Sequence, residues 1–99
     1  MDNLTPLSRA SYPRIAPLYR FQWEAAQNAF VLLFPEGMVQ LNVAAGEILR
    51  RCDGKLSAEE IIADLRVAFQ SDAIDADVEA FLRSATDDGW VEWRDAETP

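Results

Sequence analysis

The spacing of apolar and polar residues changes along the chain. From Tyr19 it alternates, with Tyr19, Phe21 and Trp23 on one side and Arg20, Gln22 and Glu24 on the other. A period of two predicts a half-buried strand. Residues 29–34 are apolar on both faces, with Phe30, Leu32 and Phe34 set against Val31 and Leu33. Such a run predicts a strand covered on both sides. Pro35, Glu36 and Gly37 read as a three-residue turn, with glycine available for a positive φ. Residues 38–41 then return as a short third strand, and the three strands form an antiparallel meander.

The period then lengthens. Asn42 is a good N-cap, and Ala45, Ile48, Leu49 and Cys52 after it fall at i, i+3, i+4 and i+7, one face of a helix. Arg50 and Arg51 sit in its last turn, where cations suit the helix dipole. Asp53-Gly54 is expected to end it. Ser57 and Glu60 have the spacing of a capping box, with Leu56 and Ile61 as the hydrophobic pair around it. The helix they start would bury Ile61, Ile62, Leu65, Ala68 and Phe69. Asp75 reads as the cap of a third helix with the stripe Val78, Phe81, Leu82 and Ala85. Glu79 and Arg83 are spaced as an i, i+4 ion pair, and Gly89 closes the helix. Trp90, Val91, Glu92 and Trp93 alternate and predict a short final strand or docked tail.

Residues 1–18 carry three of the five prolines and little periodicity. They read as an extended arm, mobile or docked on something. The expected organisation is this arm over 1–18, a single domain over 19–94 and a tail over 95–99. The fold class is α+β and winged-helix-like: a three-stranded antiparallel meander, then three helices, then a short C-terminal strand.

Composition narrows the function. The 99 residues fit one domain. No run approaches the ~18 apolar residues of a membrane span, and the first ten residues lack the apolar segment of a secretory signal. A cytoplasmic protein is expected, and a single cysteine suits a reducing compartment. There is no histidine, which removes the commonest general base, the commonest zinc ligand and every Ser-His or Cys-His pair. No catalytic residue, metal ligand or cofactor is expected. The net charge is −8. Residues 1–50 hold four acids and four arginines, whereas residues 51–99 hold thirteen acids and five bases. The second and third helices would repel phosphates. Nucleic acid is therefore not an expected partner, although a winged-helix shape raises the question.

Individual features carry little chemistry. Asp87 and Asp88 are neighbours at a helix end with nothing converging on them, and read as a solvated turn. Cys52 lies on a helix stripe and reads as a small core residue. Trp23, Trp90 and Trp93, with Tyr19 and Phe21, form an aromatic group at the sheet edges, either core or partner surface. Gly46 inside a helix costs about 1 kcal/mol against alanine, so close helix–sheet packing or an approaching ligand must account for it. The third strand ends the meander, so one of its edges is open to pairing. It is either a template for an added peptide strand or a plain wing hairpin.

The combination of Leu32-Leu33-Phe34-Pro35-Glu36-Gly37, Leu41-Asn42, Ala45, Glu47-Ile48-Leu49, Cys52-Asp53-Gly54, Phe81-Leu82 and Gly89-Trp90 resembles the pyrroloquinoline quinone (PQQ) biosynthesis protein D family. Arg20-Phe21-Gln22-Trp23-Glu24 resembles the start of that pattern, and the match runs over roughly residues 14–94. The resemblance implies a peptide chaperone, not an enzyme. It would bind a ribosomal precursor peptide and present it to a radical S-adenosylmethionine enzyme that crosslinks a glutamate to a tyrosine. It further implies that the peptide pairs as an extra strand on the third strand, Met38, Val39, Gln40 and Leu41, and lies against Val78, Phe81, Leu82 and Ala85 of the third helix. The alternatives are a carrier of the quinone itself and a winged-helix regulator of transcription. A monomer or a weak, domain-swapped homodimer is expected.

Overall fold

The computed structural model describes residues 8–94. The start of the arm, residues 1–7, and the tail, 95–99, lie outside them. The chain order is β1 (Tyr12–Ile15), β2 (Arg20–Glu24), β3 (Ala29–Phe34), β4 (Gly37–Gln40), α1 (Val43–Arg50), α2 (Ala58–Ala68), α3 (Asp75–Asp87) and β5 (Val91–Arg94). The expected meander is present as an antiparallel sheet in the order β2-β3-β4, followed by three helices and a short final strand.

Alternation sorts this sheet into two faces. Phe21, Leu32 and Val39 stand in register across the three strands and pack with the helices. Phe30 and Tyr19 join them, with Phe21 and Phe30 stacked at 4.8 Å. On the other face Val31 is also fully buried, flanked in register by Gln22 and Gln40. The double-sided apolar pattern of β3 thus has a cause on each side.

The helices complete the core with Ile48, Leu49, Ile61, Ile62, Leu65, Val78, Leu82 and Ala85. Gly46 faces the sheet, where Phe30 occupies the space that a side chain at position 46 would need. Close helix–sheet packing is therefore the reason for that glycine. Asn42 caps α1 by accepting from Ala45 N–H at 2.8 Å. Ser57 and Glu60 form the expected reciprocal capping box of α2.

Several local readings need correction. The β3–β4 turn has two residues, Pro35 and Glu36, since Gly37 already pairs with Phe34. Its glycine is not among the positive-φ residues. Helix α1 ends at Arg50 with Arg51 as C-cap, and Gly54, at φ 81°, serves the following turn. Ala68 and Phe69 lie outside the buried face of α2 because they occupy its last turn and C-cap, where the chain leaves the core. Asp75 is the first residue of α3, and its carboxylate is drawn to Arg66, so the cap position falls to Ile74, which makes no side-chain cap bond. Glu79 binds Arg9 at 2.6 Å instead of pairing with Arg83.

The segment read as an arm is docked from residue 9 onward. Strand β1 pairs antiparallel with β5, Tyr12 opposite Arg94 and Ile15 opposite Val91. Its other side takes hydrogen bonds with the loop after α1: Ile15 N–H donates to Cys52 O, and Gly54 N–H to Pro13 O. Pro13 is fully buried. Ahead of the strand, Ser11 O and Arg9 O accept from Ala58 N–H and Glu59 N–H. Those donors open α2 and have no partner within the helix. The arm therefore caps α2 with its own backbone, and the guanidinium of Arg9 contacts Glu59, Asp75 and Glu79.

Candidate functional site

Strand β4 is an edge, and no described strand pairs with its outer side. Antiparallel pairing alternates which residues turn their backbone groups to the partner. Leu41 N–H donates to Phe30 O, and the register continues as Gln40 with Val31, Val39 with Leu32 and Met38 with Leu33. Leu41, Val39 and Gly37 thus bond inward to β3. The N–H and C=O of Met38 and Gln40 point out from the sheet edge. An added strand would find a donor and an acceptor at each of these two residues.

The side chains divide the same way. Met38 and Gln40 are exposed, Val39 is half-buried on the helix side and Leu41 is buried in the core. On α3, Val78, Leu82 and Ala85 are buried in the core, and only Phe81 of the expected groove residues is half-exposed. The single apolar stripe of this helix is largely consumed by the core.

Val78 and Phe81 do line an open apolar cleft of about 320 Å³. Its opposite wall is α1, through Ala44, Ala45 and Ile48, and not β4. Phe69 and Ile74, from the connection between α2 and α3, also line it. Asn42 and Asp77 are its two polar residues, and both are exposed. The cleft begins where β4 ends, because Asn42 caps α1 only two residues after Gln40. Sequence reasoning missed this second wall. Ala44 lies off the apolar stripe of α1, so periodicity holds no signal for it, and for Phe69 the periodicity points to the core instead of the cleft.

Several other titratable groups are structural. Arg51, 9% exposed, bonds Asp64 at 2.6 Å and both the side chain and carbonyl of Glu47 at 2.8 Å, tying α1 to α2. The Arg51 guanidinium holds Glu47 below the usual carboxylate range. Arg66 does the same to Asp75. Burial, aided by Asp53, pushes the Cys52 thiol up to about 12, so it is an inert core group. Asp87 and Asp88 are exposed. Among the described residues no three His, Cys, Asp or Glu side chains are grouped to hold a metal. Among the described residues no helix is long and apolar enough to cross a membrane.

A small sheet whose edge strand β4 lies open near an apolar helical cleft suits a peptide-recognition module, and the comparisons are specific about which. Residues 29–91 match the family model of coenzyme PQQ synthesis protein D, PqqD. A PqqA binding protein of Azotobacter vinelandii is 49% identical over 81 residues, covering 81% of this chain and 88% of that one. A PqqA binding protein of Kluyvera intermedia is 40% identical, covering 97% of this chain and 98% of that one. Among solved structures, the solution structure of the PqqD truncation of Methylobacterium extorquens PqqCD superposes with a TM-score of 0.67 at 27% identity. It covers 81% of this chain and 87% of that one, and is described as a stand-alone recognition element for ribosomally synthesized and post-translationally modified peptides. The chain belongs to the PqqD family.

Proposed function

We propose that this chain is a peptide-binding adaptor of PQQ biosynthesis. It takes a PqqA precursor peptide as an added strand on β4 and presents it to the radical S-adenosylmethionine enzyme that crosslinks it, contributing no catalytic group itself. The observation that supports this most is the outward pair of backbone positions, Met38 and Gln40, on a free edge next to an apolar cleft. Main-chain bonds to these two residues give register, and the cleft gives selectivity. The relatives named PqqA binding protein support PqqA as the peptide.

The test is a titration of 15N-labelled protein with a synthetic PqqA precursor peptide, followed by NMR. Shifts are expected at Met38, Val39, Gln40 and Leu41 and along the exposed side of α3 at Phe81. Met38→Pro deletes one outward donor while leaving the inward bonds of β4 intact, since proline is tolerated at sheet edges. It is expected to weaken binding by about tenfold, the upper range for one main-chain hydrogen bond. Absence of any shift at saturating peptide, with and without the enzyme present, overturns the adaptor reading.

A further inference from the structure

We infer that the cleft between α1 and α3 is an anchor pocket for one bulky apolar side chain of the bound peptide, and that Asp77 beside it receives a lysine or arginine of the same peptide. This rests on the adaptor reading and adds to it which residues of the chain choose the peptide.

Three observations carry it. The first is continuity. A strand added along β4 runs past Gln40 toward Asn42, and Asn42 lines the cleft. The second is size and lining. About 320 Å³ walled by Ala44, Ala45, Ile48, Ile74, Val78 and Phe81 lies at the lower end of the roughly 300–1,000 Å³ of ligand pockets. That is room for one large side chain, not for an extended apolar segment. Two of the walls are alanines, so the volume exists because α1 presents small residues there. The third is charge. Asp77 is exposed at the cleft and has no ion pair or side-chain hydrogen bond among the described residues. Its neighbours on α3 differ, since Asp75 is engaged by Arg66 and Glu79 by Arg9. Of the three acids at the N-terminal end of this helix, the one left available among the described residues is the one at the pocket, and it complements a cationic peptide residue next to the apolar anchor.

The experiment uses the full chain and the synthetic PqqA precursor peptide of Azotobacter vinelandii, whose PqqA binding protein is 49% identical, with affinity read by calorimetry. Ala44 is exposed, so Ala44→Trp fills the cleft from outside the core. It is expected to weaken binding roughly 10- to 100-fold, the worth of burying one large apolar side chain. Asp77→Asn is expected to weaken it about threefold and to flatten its salt dependence. In wild-type protein the methyl resonances of Ile48 and Ile74 are expected to shift on binding, a readout that needs no variant to fold. An alanine scan of the peptide should yield one bulky apolar residue whose loss is not additive with Ala44→Trp. If wild-type protein binds but Ala44→Trp binds equally and the Ile48 and Ile74 methyls do not move, the anchor pocket is overturned and the adaptor reading stands. If Asp77→Asn binds with unchanged affinity and salt dependence, the cationic contact is overturned. If wild-type protein does not bind the peptide with or without the enzyme, both readings fall together.

Discussion

The ring of Phe30 lies 2.8 Å from where a Cβ on Gly46 would sit. Helix α1 approaches β3 this closely only because position 46 has no side chain, and Phe30 is itself held between Phe21 and Trp23 at 4.8 and 5.0 Å. Gly46→Ala would add about 1 kcal/mol of helix propensity and yet is expected to destabilise the protein by roughly 1–3 kcal/mol through overpacking. Urea denaturation of the variant, alone and combined with Phe30→Leu, checks this. The second change should relieve part of the loss, and a stabilised Gly46→Ala would rule out the packing explanation.

Helix α2 ends in a Schellman motif with a residue poorly suited to it. Gln70 stands at φ 51°, with Gln70 N–H donating to Val67 O and Ser71 N–H to Arg66 O. The same geometry ends α3 with glycine, Gly89, at φ 82°. A left-handed conformation costs a side-chain-bearing residue about 1–2 kcal/mol, partly offset by the unfolded-state freedom of glycine. Gln70→Gly is expected to stabilise the fold by about 0.5–1 kcal/mol, measured as a higher denaturation midpoint at unchanged slope.

Glu47 is held low first by its hydrogen bond from Arg51. A carboxylate with a depressed folded pKa contributes stability that is present above its unfolded value, 4.5 here, and is lost as pH falls through the folded one. Glu47→Gln should therefore be less stable than wild type at pH 7, and the gap should close as the pH drops below the ordinary carboxylate range. Thermal melts of both proteins from pH 7 to 3 decide it. A gap that persists at pH 3 would mean that Glu47 acts through packing and not through charge.

The arm contributes through its backbone as well as its charge. Arg9→Gln removes exposed ion pairs, and its effect should be small and fade with salt. Deleting residues 1–11 also removes the acceptors for Ala58 N–H and Glu59 N–H, each worth about 0.5–1.5 kcal/mol. The deletion is expected to lower the melting temperature more than Arg9→Gln does, and to keep most of that effect at high salt. Equal losses would assign the arm's contribution to Arg9 alone.

What the sequence made legible was local. Asn42, Ser57 with Glu60, and Gly89 each end a helix through bonds to residues within a few positions, so their spacing was enough to find them. Readings that depended on distant partners went otherwise. Strand β1 is hidden because its four residues include Pro13 and its ladder partner lies some 80 positions away. Glu79 has a well-spaced neighbour in Arg83, yet the arm brings Arg9 to it. The edge strand was legible as an edge. The cleft beside it was not, because the periodic stripe of α1 reads Ala45 and Ile48 only as core, and the exposed Ala44 that completes the wall lies off that stripe.

The pairing of β1 with β5 has a bearing on how such a domain is carried. With Tyr12 opposite Arg94, the first and last strands lie side by side, in a sheet that does not contain β4. The Methylobacterium extorquens relative comes from PqqCD, where the domain is part of a longer polypeptide. Pairing the first strand with the last holds both outer segments in one ladder and leaves the edge of β4 out of it.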